Sequence, residues 1–243
     1  MSAYLSVIIP AYNEEHRIGH ALSKLIPYLK EQDYTSEIVV VNDGSSDATA
    51  KVVESFRNDF PDIQVISYPQ NKGKGYAVKK GMLAGKGEFR LFMDADLAVP
   101  VEYIEKILLL GANYDIVIGS RGLNESIIDN HQAFFRESAA KLFWVLQRIV
   151  TGITMIDTQC GFKLFTKDAA ETLFPLVTFD CSYFDTELLY IAKKLHMRIG
   201  EIGVRWNHDG ITRLPIGLSR TADLVMKLFR IKTLHKSVSK AGK

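Results

Sequence analysis

Phe89-Arg90-Leu91-Phe92-Met93-Asp94-Ala95-Asp96-Leu97 is a short apolar run ending in two carboxylates with one small residue between them. An apolar run of this length, stopped by a turn, reads as a buried β-strand. The Asp-x-Asp then stands at the strand's C-terminal edge, where open α/β sheets bind ligands. Two carboxylates so close together repel unless a cation sits between them, and hard divalent cations prefer oxygen ligands. With diphosphate oxygens added, such a pair suits Mg²⁺ or Mn²⁺. Alone, Asp-x-Asp also serves as a helix cap or turn, so the rest of the chain has to decide.

Upstream, strand and helix patterns alternate. Leu5-Ser6-Val7-Ile8-Ile9-Pro10 is a buried strand, followed by a loop at Ala11-Tyr12-Asn13-Glu14-Glu15. Ile18, Leu22, Leu25, Ile26 and Leu29 then recur near helical spacing. Glu37 to Asn42 is a second strand, ending in Asp43-Gly44-Ser45-Ser46-Asp47, where Ser46 or Asp47 can cap the next helix. A third strand covers Ile63 to Tyr68, and Asn71-Lys72-Gly73-Lys74-Gly75 is a basic loop before a helix reaching about Leu83. This alternation predicts βαβ units and a mostly parallel central sheet flanked by helices, an α/β fold.

The second half is less regular. Strands are expected at Asp115 to Gly119, after the turn at Thr158-Gln159-Cys160-Gly161, and at Glu201 to Trp206. Helices are expected over Phe134–Val150, from Ser182 onward, and from Gly217 to about Ser237; Asn124 to Gln132 reads as a loop. From Ile211 to Lys243 there are eight Lys/Arg and one acid, Asp223, against a net charge of +2 for all 243 residues. We therefore divide the chain into a catalytic unit, 1–210, and a basic amphipathic segment, 211–243, suited to a membrane surface or an interface. No apolar run approaches the ~20 residues that span a bilayer. The N-terminus lacks signal-peptide form, and Cys160 and Cys181 are too few for a disulfide framework. A cytoplasmic protein, peripheral on a membrane face, is the expectation, with no nucleic-acid partner. Oligomeric state stays open.

Three acidic or polar loops thus gather at strand ends: Tyr12-Asn13-Glu14, Asp43, and Asp94-Ala95-Asp96. With Pro10 and the Asn71 to Gly75 loop, they resemble the family-2 glycosyltransferases, which use a GT-A-type fold to bind a nucleotide-diphospho-sugar. The resemblance implies that Pro10, Tyr12, Glu14 and Asp43 hold base and ribose, with Lys72 and Ala95 in the same donor site. It implies that Asp94 and Asp96 hold the metal and diphosphate, with Asp96 among the catalytic groups. No G-x-G-x-x-G follows the first strand, against a dinucleotide cofactor.

Thr158-Gln159-Cys160-Gly161-Phe162-Lys163 and Phe184-Asp185-Thr186-Glu187-Leu188-Leu189 are similar to the polyprenyl-phosphate branch of that family, the dolichyl-phosphate mannose synthases and glucosyltransferases. By that likeness Arg121 and Arg136 receive the acceptor phosphate, whose oxygens suit a guanidinium fork. Asp185 would be the base in relatives with hydroxyl acceptors; here it would orient the sugar or a cationic side chain. Ala98 stands where mannose synthases carry a metal-binding glutamine, which leans the donor towards UDP-glucose over GDP-mannose. Gln159 is either a ligand or a brace of its turn. Arg213 could reach the diphosphate, and His208 is as readily a loop residue without a role. Cys160 lacks a partner base and reads as a packed turn residue. The expected reaction is inverting, metal-dependent hexose transfer to a polyprenyl phosphate. The rivals are transfer to a saccharide hydroxyl with Asp185 as base, a nucleotidyltransferase, and a non-catalytic nucleotide-sugar-binding module.

Overall fold

A computed structural model describes residues 3–128, 144–207 and 218–239. In chain order its elements are β1 (Leu5–Ala11), α1 (Glu15–Lys30), β2 (Ser36–Asp43), α2 (Thr49–Glu54), β3 (Ile63–Tyr68), α3 (Lys74–Ala84), β4 (Phe89–Met93), α4 (Tyr103–Gly111), β5 (Ile116–Ser120) and β6 (Ile127–Ile128). After them come α5 (144–151), β7 (Phe162–Thr166), α6 (Lys167–Leu173), a 3₁₀ turn (Phe174–Leu176), α7 (Phe184–Lys194), β8 (Ile199–Gly203), β9 (Arg205–Trp206) and α8 (Leu218–Leu234).

Seven strands form one sheet in the order β3-β2-β1-β4-β7-β5-β8. All neighbours are parallel except β7, which runs antiparallel to both β4 and β5. The two-residue period of a strand splits each apolar run into two layers. Leu5, Val7 and Ile9 of β1 face one core with Ile18, Leu22 and Leu25 of α1 and Ile104 and Ile107 of α4. Ile8, with Val39 and Val41 of β2, faces the other, closed by Val78 and Met82 of α3 and by residues of α6, α7 and α8. The sheet is thus covered on both sides, as a mostly parallel sheet must be.

Register places the site. Ala11 lies beside Asn42, and Ile8 lies beside Phe92, so the C-terminal ends of β1, β2 and β4 share one edge. Because β7 is reversed, its first residue, Phe162, pairs with Met93 at that same edge. The turn before β7 is thereby delivered against Asp94. β5 is parallel to β8, and its end carries Arg121 to the same side.

Three expectations are refined. The strand expected over Glu201 to Trp206 is two pieces, because its partner β5 ends at Ser120. β9 then leaves to pair with β6, which lies inside the expected loop. Most of the helix expected over Phe134–Val150 lies outside the described residues; 144–151 is helical. The basic C-terminal helix is present as α8, and its inner face is committed: Leu228 and Ile231 are buried in the second core.

Candidate active site

The loops after β1 and β2 are tied to one another by side chain–backbone bonds. Asn13 adopts a left-handed conformation, φ 52°. Its amide donates to the Ser45 hydroxyl at 2.9 Å, and its Oδ1 accepts the Ser46 N–H at 2.9 Å. The loops after β1 and β2 are thus stitched together. Asp47 accepts N–H bonds from Glu15 and Thr49; burial works against its charge, but these bonds hold its carboxyl below the usual range. Pro10 lies in β1 beside Val41, and Tyr12 stands 41% exposed on the rim. The Glu14 carboxylate is gripped by both forks of Arg17, at 2.5 and 2.6 Å.

Asp43 is buried, and its two oxygens are taken: Oδ1 accepts the Lys72 N–H at 2.7 Å and Oδ2 the Gly73 N–H at 2.9 Å. In this arrangement it braces the basic loop. Lys72 itself points away, its ammonium 4.7 Å from the Tyr76 ring centroid. Lys74 points in. Its Nζ lies 2.7 Å from Asp94 Oδ1 and 5.2 Å from the centroid of Phe92.

Asp94 follows directly on β4, and its amide donates to Gly161 O at 3.0 Å. A Cβ at Gly161 would overlap the Asp94 carboxylate, so only glycine allows the turn before β7 to approach it. Ala95 is buried. Asp96 Oδ1 accepts the Ala98 N–H at 3.1 Å, and Leu97 takes φ 51° to complete the turn. Among the described residues no three metal-type side chains cluster. The donor set still fits a hard cation in part: two carboxylates stand one residue apart, and Asp94 already carries a positive charge, the Lys74 ammonium. The remaining ligands would come from diphosphate oxygens and water.

Behind this pair lies a buried one. Asp185, in the first turn of α7, has its Oδ1 2.6 Å from Lys163 Nζ on β7, and both side chains are almost wholly enclosed. Lys163 also donates to Cys160 O at 2.5 Å. Burial raises the Asp185 carboxyl above the usual carboxylate range, while Lys163 and Lys74 pull against it. Burial pushes the Cys160 thiol up to about 12, which makes it a packed turn residue. In the turn before β7, the Gln159 amide N–H reaches Asp157 Oδ1 at 3.2 Å and its Nε2 reaches the Thr186 hydroxyl at 3.4 Å.

The Arg121 fork is already engaged. Its Nε and an Nη lie 2.6 and 2.9 Å from the two oxygens of Asp157, and its backbone N–H reaches the same carboxylate at 3.0 Å. The guanidinium stands 5.1 Å from the Trp206 ring centroid. The pair drives both groups further towards their charged forms, against the cost of burial. A cleft next to it is lined by Met93, Asp94, Leu97, Ala98, Phe162 and Trp206, among others. Arg136, His208 and Arg213 lie outside the described residues.

The structure thus brings Asp94, Asp96, Asp185 and Gln159 together at one edge, with Arg121 beside them and Asp43 behind the basic loop. Sequence reasoning passed over Lys74, Lys163, Asp157 and Gly161 as site residues. For Lys163 a signal existed: a lysine inside Phe162-Lys163-Leu164-Phe165, since buried lysines are rare unless paired. Asp157 carried none.

Comparison with known proteins bears on the family and the fold. Residues 6–174 match the family described as Glycosyl transferase family 2. A dolichyl-phosphate beta-glucosyltransferase of Trichomonas vaginalis is 39% identical over 239 residues, covering 90% of this chain and 73% of that protein. The Homo sapiens protein of the same name is 36% identical over 227 residues, covering 87% and 70%. Among solved structures, glucosyl-3-phosphoglycerate synthase of Mycobacterium tuberculosis, in complex with Mn²⁺, UDP-glucose and glycerol 3-phosphate, superposes with a TM-score of 0.65 at 20% identity. That match covers 97% of this chain and 80% of the other, and at this identity it is a likeness of fold.

Proposed function

The chain belongs to glycosyl transferase family 2, and from that premise we propose that it moves glucose from UDP-glucose to a dolichyl-type polyprenyl phosphate, with inversion and with a divalent cation. The relatives' names support the acceptor and the sugar. Within the site, one observation carries the reading: Asp185, the carboxylate that would serve a hydroxyl acceptor as base, is buried against Lys163. A phosphate acceptor has no need of that base. Its second pKa is about 6, so it is largely dianionic at neutral pH and attacks the anomeric carbon as it stands.

The chain's own residues then have three tasks. Asp94 and Asp96 hold the cation, Mg²⁺ or Mn²⁺, with Ala95 as the small spacer. When bound, the cation neutralises charge on the departing diphosphate. Pro10, Tyr12, Glu14 and the Asp43-braced loop with Lys72 form the base and ribose side, and Gln159 and Arg213 close over the donor. Arg121 and Arg136 hold the acceptor phosphate in line with the anomeric carbon, so that attack and departure are opposite and configuration inverts. Asp185 keeps Lys163 in place beneath the sugar. Against this stands a hydroxyl acceptor with Asp185 as base, favoured only by the burial that raises its proton affinity.

We further propose that the protein works from the cytoplasmic membrane surface, with segment 211–243 as part of the contact. No helix of the described residues is long and apolar enough to cross a bilayer. The test of the whole reading is direct. Purified protein is offered UDP-glucose, GDP-mannose or UDP-N-acetylglucosamine, each with polyprenyl phosphate, a mixture of free saccharide acceptors and Mn²⁺ or Mg²⁺. The expected result is a chelator-sensitive β-linked glucosyl phospholipid from UDP-glucose alone. Transfer to a saccharide hydroxyl under the same conditions, with none to the lipid, refutes it.

A further inference from the structure

Lys74 is held more firmly than a surface lysine needs to be. It opens α3 between two glycines that each press on one stretch of backbone. Gly73 takes φ 103°, and a Cβ there would overlap Asp180 O; a Cβ at Gly75 would overlap Phe179 O. The Gly75 amide donates to Asp180 O at 2.8 Å, and both flanking amides on the N-terminal side, Lys72 and Gly73, are fixed by Asp43. The backbone of Lys74 is therefore clamped, while its side chain runs over Phe92 to Asp94 Oδ1. Asp96 and Asp185 are also close enough to act on its charge. Lys163 is spent on Asp185, so the ammonium in contact with Asp94 is that of Lys74.

We infer that Lys74 is a positioning residue that stands in for the cation on Asp94 in the empty enzyme, gives the carboxylate up when the cation binds, and then passes its charge to the donor's diphosphate. This rests on the reading that Asp94 and Asp96 form the metal site. The consequence is a linkage. Without donor, Lys74 and the cation compete for Asp94, so the cation binds weakly. With a diphosphate present, the freed ammonium has a new partner, so cation and nucleotide favour each other's binding. The empty enzyme keeps Asp94 in place without holding a metal tightly, and the site assembles only when the donor arrives.

The test is Mn²⁺ binding, read from the EPR signal of free Mn²⁺ during MnCl₂ titration, first alone and then with saturating UDP. Variants are Lys74→Gln, Lys74→Arg, Lys80→Gln as a control on the same helix, and Asp94→Asn. Without UDP, Lys74→Gln should bind Mn²⁺ more tightly than wild type, by up to roughly fivefold, the upper end of what a partly exposed ion pair is worth. Lys74→Arg and Lys80→Gln should match wild type. With UDP the order should reverse: wild type and Lys74→Arg gain affinity and Lys74→Gln gains little. Unchanged or weaker Mn²⁺ binding by Lys74→Gln without UDP, while Asp94→Asn binds poorly, overturns the Lys74 inference alone. Wild-type Mn²⁺ binding by Asp94→Asn overturns the metal-site reading together with it.

Discussion

Lys163 Nζ and Asp185 Oδ1 lie 2.6 Å apart, with 1% and 4% of their side chains exposed. The lysine comes from the one reversed strand of the sheet and the aspartate from the first turn of α7, 22 residues later. Their contact joins the antiparallel strand to the helix that floors the site. Two charges taken out of water are stable only as a pair, and removing one partner strands the other.

Lys163→Met or Asp185→Asn should each destabilise the fold by about 3–5 kcal/mol, as expected for an orphaned buried charge. The double variant should recover part of that loss. Urea unfolding of the four proteins measures it as a coupling energy. Additive losses would show that the two side chains do not depend on each other. If Asp185 is an anchor for Lys163, Asp185→Asn should also retain its pH–rate profile, since no base is removed.

Gly161→Ala adds a methyl group where the Asp94 carboxylate already stands. The carboxylate must swing away or the turn must back off, and either spoils the Asp94 and Asp96 pair. We expect turnover to fall by more than about a hundredfold, the scale of losing one preorganised electrostatic contact. The change in thermal midpoint should be small, because the turn is at the sheet edge and only partly buried. A variant with normal turnover at ordinary Mn²⁺ concentrations would show that Asp94 can move without cost.

Arg121 is held by Asp157, so its contribution can be divided. Asp157→Asn leaves the guanidinium in place without its partner; Arg121→Lys keeps the charge and loses the fork. If Arg121 serves the acceptor phosphate, Arg121→Lys should raise KM for polyprenyl phosphate roughly tenfold, equal to about 1.4 kcal/mol, and leave KM for UDP-glucose near its normal value. Steady-state kinetics with each substrate varied decides it. A change confined to donor KM would assign Arg121 to the donor side.

The legible and illegible parts of the site differ in a physical way. Asp94 and Asp96 could be read because a strand that stops at two acids puts them at the sheet edge whatever its neighbours are. Asp43 could be placed at the same edge for the same reason. What its carboxylate does there, accepting two N–H groups from a loop 29 and 30 residues later, depends on packing between loops. Lys163 hid behind strand alternation, in which every second residue can face water. It is buried because β7 lies between β4 and β5 under a helical layer, and nothing local fixes that position. The choice between Lys72 and Lys74 was equally closed to the sequence. Both flank Gly73, and only the clamp on Asp180 aims one at Asp94 and the other at Tyr76.

The last prediction concerns a surface suited to a membrane. α8 buries Leu228 and Ile231, so it is not a free tail, yet the same helix leaves Met226 and Phe229 well exposed beside Arg230 and Lys232. On α5, Val145 and Ile149 are exposed on either side of Arg148. The two helices are anchored to one place. Lys193, near the end of α7, donates to Thr151 O and Gly152 O at the C-terminal end of α5, and its neighbour Lys194 donates to His235 O and Lys236 O after α8. His235 Nε2 and Glu187 Oε1, both buried, fix the second helix at 2.6 Å. Two helices held at one corner, each with apolar side chains beside cations, suit the headgroup layer of an anionic bilayer. Each basic residue near such a surface contributes about 1 kcal/mol, a term that salt weakens. In a flotation assay with phosphatidylserine-containing vesicles we expect binding at low salt that declines with added NaCl. Met226→Ser with Phe229→Ser should lower it severalfold without changing the thermal midpoint, because neither side chain is in the core. Equal recovery in the soluble fraction with and without vesicles at low salt would show that this face serves some other contact.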